Sequence, residues 1–126
     1  MRDLTDFLAL PEPEQERIIG RTKADSVELD EATMPADSHV SRTVIEVDGE
    51  ELAIYRRSTP FGTTAEHGLH FVAFSAEPSR FDLMLRSMAG IDDGVPDRIT
   101  AFSTPVTGAY WFVPSVEAWS AALADD

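Results

Sequence analysis

Three side chains of this chain have the types and spacing to do chemistry together. His39 lies in the polar run Asp37-Ser38-His39-Val40-Ser41-Arg42-Thr43, and Arg56 and Ser58 lie in Ile54-Tyr55-Arg56-Arg57-Ser58-Thr59-Pro60-Phe61-Gly62. The second run is β-forming, and along a strand alternate side chains share a face. Ile54, Arg56 and Ser58 are then expected on one side, with Tyr55, Arg57 and Thr59 on the other. A guanidinium beside an isoleucine is costly to bury unless an anionic or redox-active group waits there. The pattern predicts a pocket.

Other chemistry-bearing residues have plainer readings. His39 taken alone is more often a structural or surface histidine than a ligand. His67 and His70 form a His-x-x-His pair, but along a strand that spacing sends them to opposite faces, and only Glu66 stands close as a carboxylate. There is no Gly-x-Ser-x-Gly elbow and no glycine-rich phosphate loop after a strand. Gly90-Ile91-Asp92-Asp93-Gly94 reads as a helix end and turn. Tyr110-Trp111-Phe112, with Trp119, reads as core packing ahead of a surface electron relay.

The elements that must position these residues follow from periodicity and turn chemistry. Residues 3–10 carry Leu4, Phe7, Leu8 and Leu10 near helical spacing, halted by Pro11 and Pro13. Pro13-Glu14-Gln15-Glu16-Arg17-Ile18-Ile19-Gly20 predicts a short helix with proline and acids early and glycine at its end. Residues 21–38 lack periodicity and predict a long ordered loop, a length that usually serves a site. Residues 43–47 and 52–57 are predicted extended segments joined at Asp48-Gly49. Residues 69–75, apolar on both faces, predict a central strand. Phe81, Met84, Leu85 and Met88 mark a helix over 78–89. A helical turn over 96–102, a strand over 106–113 and a helix from Pro114-Ser115 to Leu123 complete the chain. That order predicts an α+β fold with an antiparallel sheet and helices packed on one face.

Composition narrows the function classes. At 126 residues with 43% hydrophobic content, one domain with a single core is expected. Residues 1–38 are read as lead-in helices and loop, and 39–126 as the core. No cysteine is present, which rules out disulfides and thiolate-held metals or clusters. No apolar run approaches the ~20 residues that span a bilayer, and no secretory leader is evident at Met1, so a cytoplasmic protein with no membrane association is expected. The net charge is −13, with 14 acids against 5 Lys and Arg in residues 1–51 and 9 against 5 beyond. Such a chain repels phosphate backbones, and no basic stripe offsets this, so no nucleic-acid partner is expected.

Taken together, the segments resemble the dye-decolourising (DyP-type) haem peroxidases, in the C-terminal half of that family. Glu14-Gln15-Glu16-Arg17-Ile18-Ile19-Gly20-Arg21-Thr22-Lys23 is similar to the family's segment ahead of the haem ligand, and Asp37-Ser38-His39 to the proximal ligand segment. Arg56-Arg57-Ser58-Thr59-Pro60-Phe61-Gly62 is similar to the distal arginine segment. Glu66-His67-Gly68-Leu69-His70-Phe71-Val72-Ala73-Phe74 and Pro105-Val106-Thr107-Gly108-Ala109-Tyr110-Trp111-Phe112-Val113-Pro114 extend the likeness over nearly the whole chain, in the family's order. The resemblance implies a ferredoxin-like fold and a haem b cofactor whose iron is bound by His39. It implies that Asp97, in Pro96-Asp97-Arg98, accepts the ligand's other N–H and makes the imidazole more anionic. It implies that Arg56 assists peroxide deprotonation and O–O cleavage on the distal side, and that Ser58, where family members carry asparagine or serine, hydrogen-bonds peroxide or a distal water. Hydrogen peroxide and an organic electron donor are the implied substrates, with Tyr110, Trp111 and Trp119 as candidate relays for bulky donors.

One departure stands beside the likeness. The family's distal aspartate lies in a Gly-x-x-Asp-Gly motif well upstream of the proximal histidine, and the 38 residues before His39 do not carry it. Asp92-Asp93-Gly94 fits the letters in the wrong place, so the role is not transferred to it. Turnover weaker than that of a full-length member is expected. Three arrangements stay open: a dimer that supplies the second half-pocket, a piece of a split or truncated enzyme, or a haem-free ferredoxin-like structural or assembly domain that keeps the signature. A small-molecule-binding dimer using the same cavity is a lesser variant. An uncovered half implies self-association or an N-terminal complementary half. The C-terminal tail that directs some members into encapsulin shells is not seen, so an encapsulin partner is not expected.

Overall fold

A computed structural model describes residues 4–124. Asp3, the first residue of the expected 3–10 helix, lies outside them. Helix α1 is limited to Thr5–Leu8, and α2 runs over Glu12–Ile19 with Pro13 in its first turn. Gly20 ends α2 at φ +90°, a conformation that favours glycine. Helix α3 is His39–Thr43. Strands β1 (Glu46–Val47) and β2 (Glu50–Glu51) form a small hairpin. Its turn is the Asp48-Gly49 pair, both residues at positive φ. Strands β3 (Tyr55–Gly62) and β4 (His67–Phe74) pair antiparallel along their full length. Helix α4 (Ser79–Met88), a 3-10 turn (Arg98–Ala101) and α5 (Val116–Ala124) follow.

The predicted loop over 21–38 is ordered by its own hydrogen bonds. Gly20 O accepts Leu29 N–H at 3.0 Å, Val27 O accepts Thr22 N–H at 2.8 Å, and Arg21 pairs with Glu28. The loop returns the chain so that Ser38 and Val40 pack against Gly20. A Cβ at Gly20 would stand 2.8 Å from the Val40 Cβ. Ile18, Val40 and Met84, one from each of α2, α3 and α4, are the buried apolar side chains among the described residues. The core thus gathers around α3, the helix that carries His39.

Three expectations about the sheet need correction. Residues 106–113 form no strand and are exposed, Trp111 at 86% and Phe112 at 91%. A strand needs a ladder partner for its N–H and C=O groups, and side-chain pattern cannot supply one. β4 is not a central strand, because β3 is its one neighbour among the described residues. Its Leu69 is 64% exposed and its Phe71 58%. Residues 43–47 are not one extended run either, since Thr43 closes α3 and pairing begins at Glu46. The aromatic cluster is likewise not core: Tyr110, Trp111, Phe112 and Trp119 are all exposed, although Tyr110 keeps a ring contact with Phe81 at 6.0 Å. Among the described residues no helix is long and apolar enough to cross a membrane.

Candidate functional site

Ser38 sets the first boundary of the site. It is extended, and its fully buried Oγ accepts the Ser41 N–H at 3.2 Å, so the helix starts at His39. Pro35 O accepts the Ser38 N–H at 3.1 Å and the Ser41 hydroxyl at 2.9 Å, which fastens the helix start to the preceding loop. Thr43 donates its hydroxyl to His39 O at 2.7 Å. His39 is therefore the first helical residue of a short, capped helix, not a residue of an open turn.

Asp97 is brought to His39 from the other end of the sequence. Its N–H donates to Met88 O at the end of α4 (2.8 Å), and the next N–H, of Arg98, donates to Asp37 O (2.9 Å). Arg98 also pairs with Glu14 of α2. Asp97 is 1% exposed, and its two carboxylate oxygens have separate tasks. Oδ1 accepts Ile99 N–H at 3.0 Å and caps the 3-10 turn. Oδ2 lies 2.7 Å from His39 Nδ1. An ionised carboxylate only accepts, so with Asp97 ionised the proton is on Nδ1 and the lone pair of the neutral imidazole is on Nε2. That is the donor set a metal-binding histidine requires.

Arg56 and Ser58 stand on β3, on one face, opposite Ala73 and Phe71 of β4. Both are exposed, and among the described residues no hydrogen bond joins them to His39 or Asp97. On the reverse face Arg57 lies over the Tyr55 ring at 5.1 Å. The structure brings His39 and Asp97 together, and separately aligns Arg56 with Ser58. His67 and His70 take alternate faces of β4, and no group of three or more His, Cys, Asp or Glu suited to a metal ion occurs among the described residues.

Arg42 was given no role from sequence, and Asp93 was noted only as a motif in the wrong place, yet the two flank the site. Arg42 is buried, with Nη1 and Nη2 on the Asp93 carboxylate at 2.7 and 3.1 Å and Nε and Nη2 on Ser87 O at 3.0 and 2.8 Å. The Arg42 hydrogen bond, helped by the Val95 N–H, holds the Asp93 carboxyl below its ordinary value of 3.8. Asp93 is the acid of the misplaced Gly-x-x-Asp-Gly letters, and its oxygens are already engaged. The available signal was an arginine one helical turn after His39, on the side that the caps bury. Nothing in the sequence identifies its partner.

Known proteins give a consistent comparison. Residues 2–118 match the family model described as Dyp-type peroxidase, C-terminal. A dye-decolorizing peroxidase of Mycolicibacterium paratuberculosis is 44% identical over 93% of this chain and 34% of its own length. That of Rhodococcus erythropolis is 43% identical over 93% of this chain and 36% of its own. A Rhodococcus jostii RHA1 DypB variant in complex with heme superposes with a TM-score of 0.86 at 41% identity, covering 93% of this chain and 39% of that one. The encapsulated DyP-type peroxidase of Mycobacterium smegmatis gives 0.79 at 42% identity, covering 85% and 36%. The chain thus spans about a third of the length of the curated relatives it matches. The likeness agrees with the ferredoxin-like α+β class expected from the sequence. On the extent of the match and the order of its segments, the chain belongs to the Dyp-type peroxidase family, in that family's C-terminal part.

Proposed function

We propose that the chain is the haem-binding module of a Dyp-type peroxidase, in which His39, through Nε2, would hold the iron of haem b. One observation carries the reading: a buried carboxylate, Asp97, held at 2.7 Å from His39 Nδ1 by hydrogen bonds that do not involve the histidine. When bound, haem supplies the redox iron at which hydrogen peroxide is reduced and electrons from an organic donor are taken up. Asp97 fixes the tautomer and ring orientation of His39 and raises the basicity of Nε2. Arg56 would present a fixed positive charge to a peroxide anion, and Ser58 a hydroxyl to its oxygens. Asp93 is tied to Arg42, so the proton acceptor for peroxide must come from elsewhere.

That requirement bears on the partner. The face of β3 and β4 bearing Arg56 and Ser58 also exposes Leu69 and Phe71, and the groove of about 500 Å³ beside Asp97 is open to solvent. We infer that the part of the Dyp-type fold that this chain does not span covers this face and completes the pocket. A second copy of the chain is the other candidate cover. The uncovered hairpin also favours the rival reading, a haem-free assembly module acting through its sheet.

A hemin titration followed by visible absorption, run beside His39→Ala, tests the proposal. A ferric Soret band saturating near one haem per chain or per dimer, and lost in His39→Ala, is expected. A band unchanged in His39→Ala would falsify the ligand assignment. No specific band in either protein, with the covering partner present, would favour the assembly role.

A further inference from the structure

The two halves of the His39–Asp97 pair share one anchor, the C-terminal end of α4. Ser87 O accepts two N–H groups of Arg42, which belongs to the same helix as His39. Met88 O, the next carbonyl, accepts the Asp97 N–H. The two halves of the pair hang from consecutive carbonyls. Asp93 closes the arrangement: it takes the outer side of the Arg42 guanidinium, and its Oδ1 also accepts Val95 N–H at 3.0 Å, shaping the loop that delivers Asp97. A helix of five residues does not hold its own orientation in water, so α3 depends on such tertiary anchors. A guanidinium at the carbonyl end of α4 also complements that helix's dipole.

We propose that Arg42 and Asp93 are positioning residues that set the approach of the His39 ring to Asp97. They touch neither the proposed cofactor ligand atom nor any substrate group. They act through α3 on one side and the 93–97 loop on the other, so that loosening the clamp separates Nδ1 from Oδ2. The inference rests on the reading of His39 as a ligand only for its functional consequence, because the geometric coupling exists without haem.

The test uses the full chain labelled with ¹⁵N-histidine, at mildly alkaline pH where an ordinary imidazole is neutral. Long-range ¹⁵N–¹H correlations identify the tautomer, with His39→Gln assigning the resonance and Asp97→Asn as the uncoupled control. The wild type is expected to show Nδ1-protonated His39. Asp93→Asn and Arg42→Met are expected to lose most of that signal, and Arg42→Lys, whose three ammonium N–H groups cannot replace the four hydrogen bonds of the guanidinium, to lose part of it. In the hemin-loaded chain reduced to the ferrous state with dithionite, the iron–histidine stretch should fall in the same order. Hemin affinity should drop by about tenfold in Asp93→Asn, within the range for outer partners of a ligand. A folded Asp93→Asn or Arg42→Lys protein with wild-type tautomer and stretch overturns the proposal. So does a wild type without the Nδ1-protonated signature. If Arg42→Met does not fold, the two milder variants decide. Failure of the ligand reading looks different: the tautomer coupling persists, but hemin absorbance is indifferent to His39→Ala.

Discussion

Asp97 shows how much one carboxylate can do when both of its oxygens are placed. Oδ1 caps the 3-10 turn while Oδ2 faces His39, so structural and functional contributions share one side chain. Two substitutions separate them. Asp97→Asn can keep an oxygen on the Ile99 N–H but removes the charge facing Nδ1. It is expected to fold normally and to weaken hemin binding about 10- to 100-fold, measured by Soret titration. Asp97→Ala loses the cap as well and should cost roughly 1 kcal/mol or more beyond the asparagine variant in urea denaturation. Equal stability of the two would remove the capping role. Arg56 and Ser58 illustrate the simpler case, since strand alternation alone put them on one face and the register of β3 and β4 agrees.

At the scale of elements, the region around His39 is held by joints, each with a named residue. Gly20 is the joint between α2 and the loop that leads to the site. Its φ of +90° and the 2.8 Å approach of the Val40 Cβ leave no room for a side chain. Gly20→Ala should destabilise the chain by about 1–3 kcal/mol through backbone strain, with the clash adding to it, as read by chemical denaturation. The Arg42–Asp93 ion pair joins α3 to the turn after α4. Because the Asp93 carboxyl is held below 3.8 in the folded chain, its stabilising effect is present above that pH. It is lost as pH falls from 3.8 through the lowered folded value. Thermal melts of wild type and Asp93→Asn should therefore differ at pH 5 and converge as the pH falls well below 3.8. A constant gap across that range would show that the pair contributes nothing through charge. Residues 106–113 give the opposite lesson, a β-like sequence left without a ladder.

For the molecule as a whole, the balance of surfaces is unusual. A net charge of −13 opposes self-association, while both faces of the β3–β4 hairpin and the 106–119 stretch expose large apolar side chains. Surfaces of this kind are commonly covered by a partner, and the chain spans about a third of the length of its curated relatives. Mixing the chain with the rest of a Dyp-type fold should slow amide exchange along β3 and β4 by at least about tenfold, and should tighten hemin binding. Unchanged exchange in the mixture, with slowing on raising the concentration of the chain alone, would identify a second copy as the cover.

Much of this was legible in the amino-acid order because it depends on neighbours in the chain. The short helix ending at Gly20, the Asp48-Gly49 turn, the amphipathic helix over α4 and the shared face of Arg56 and Ser58 all follow from periods of 3.6 or 2 and from local backbone preference. The segments similar to Dyp-type peroxidases were legible for the same reason, and through them the pairing of His39 with Asp97 was expected. Contacts without a local rule were decided by tertiary structure. Arg42 finds Asp93 51 positions away, and Met88 O and Asp37 O aim Asp97, through groups that no periodicity marks. Whether residues 69–75 and 106–113 are covered or bare was likewise beyond the sequence pattern, because an apolar stretch records that a partner surface is needed and not where that surface lies.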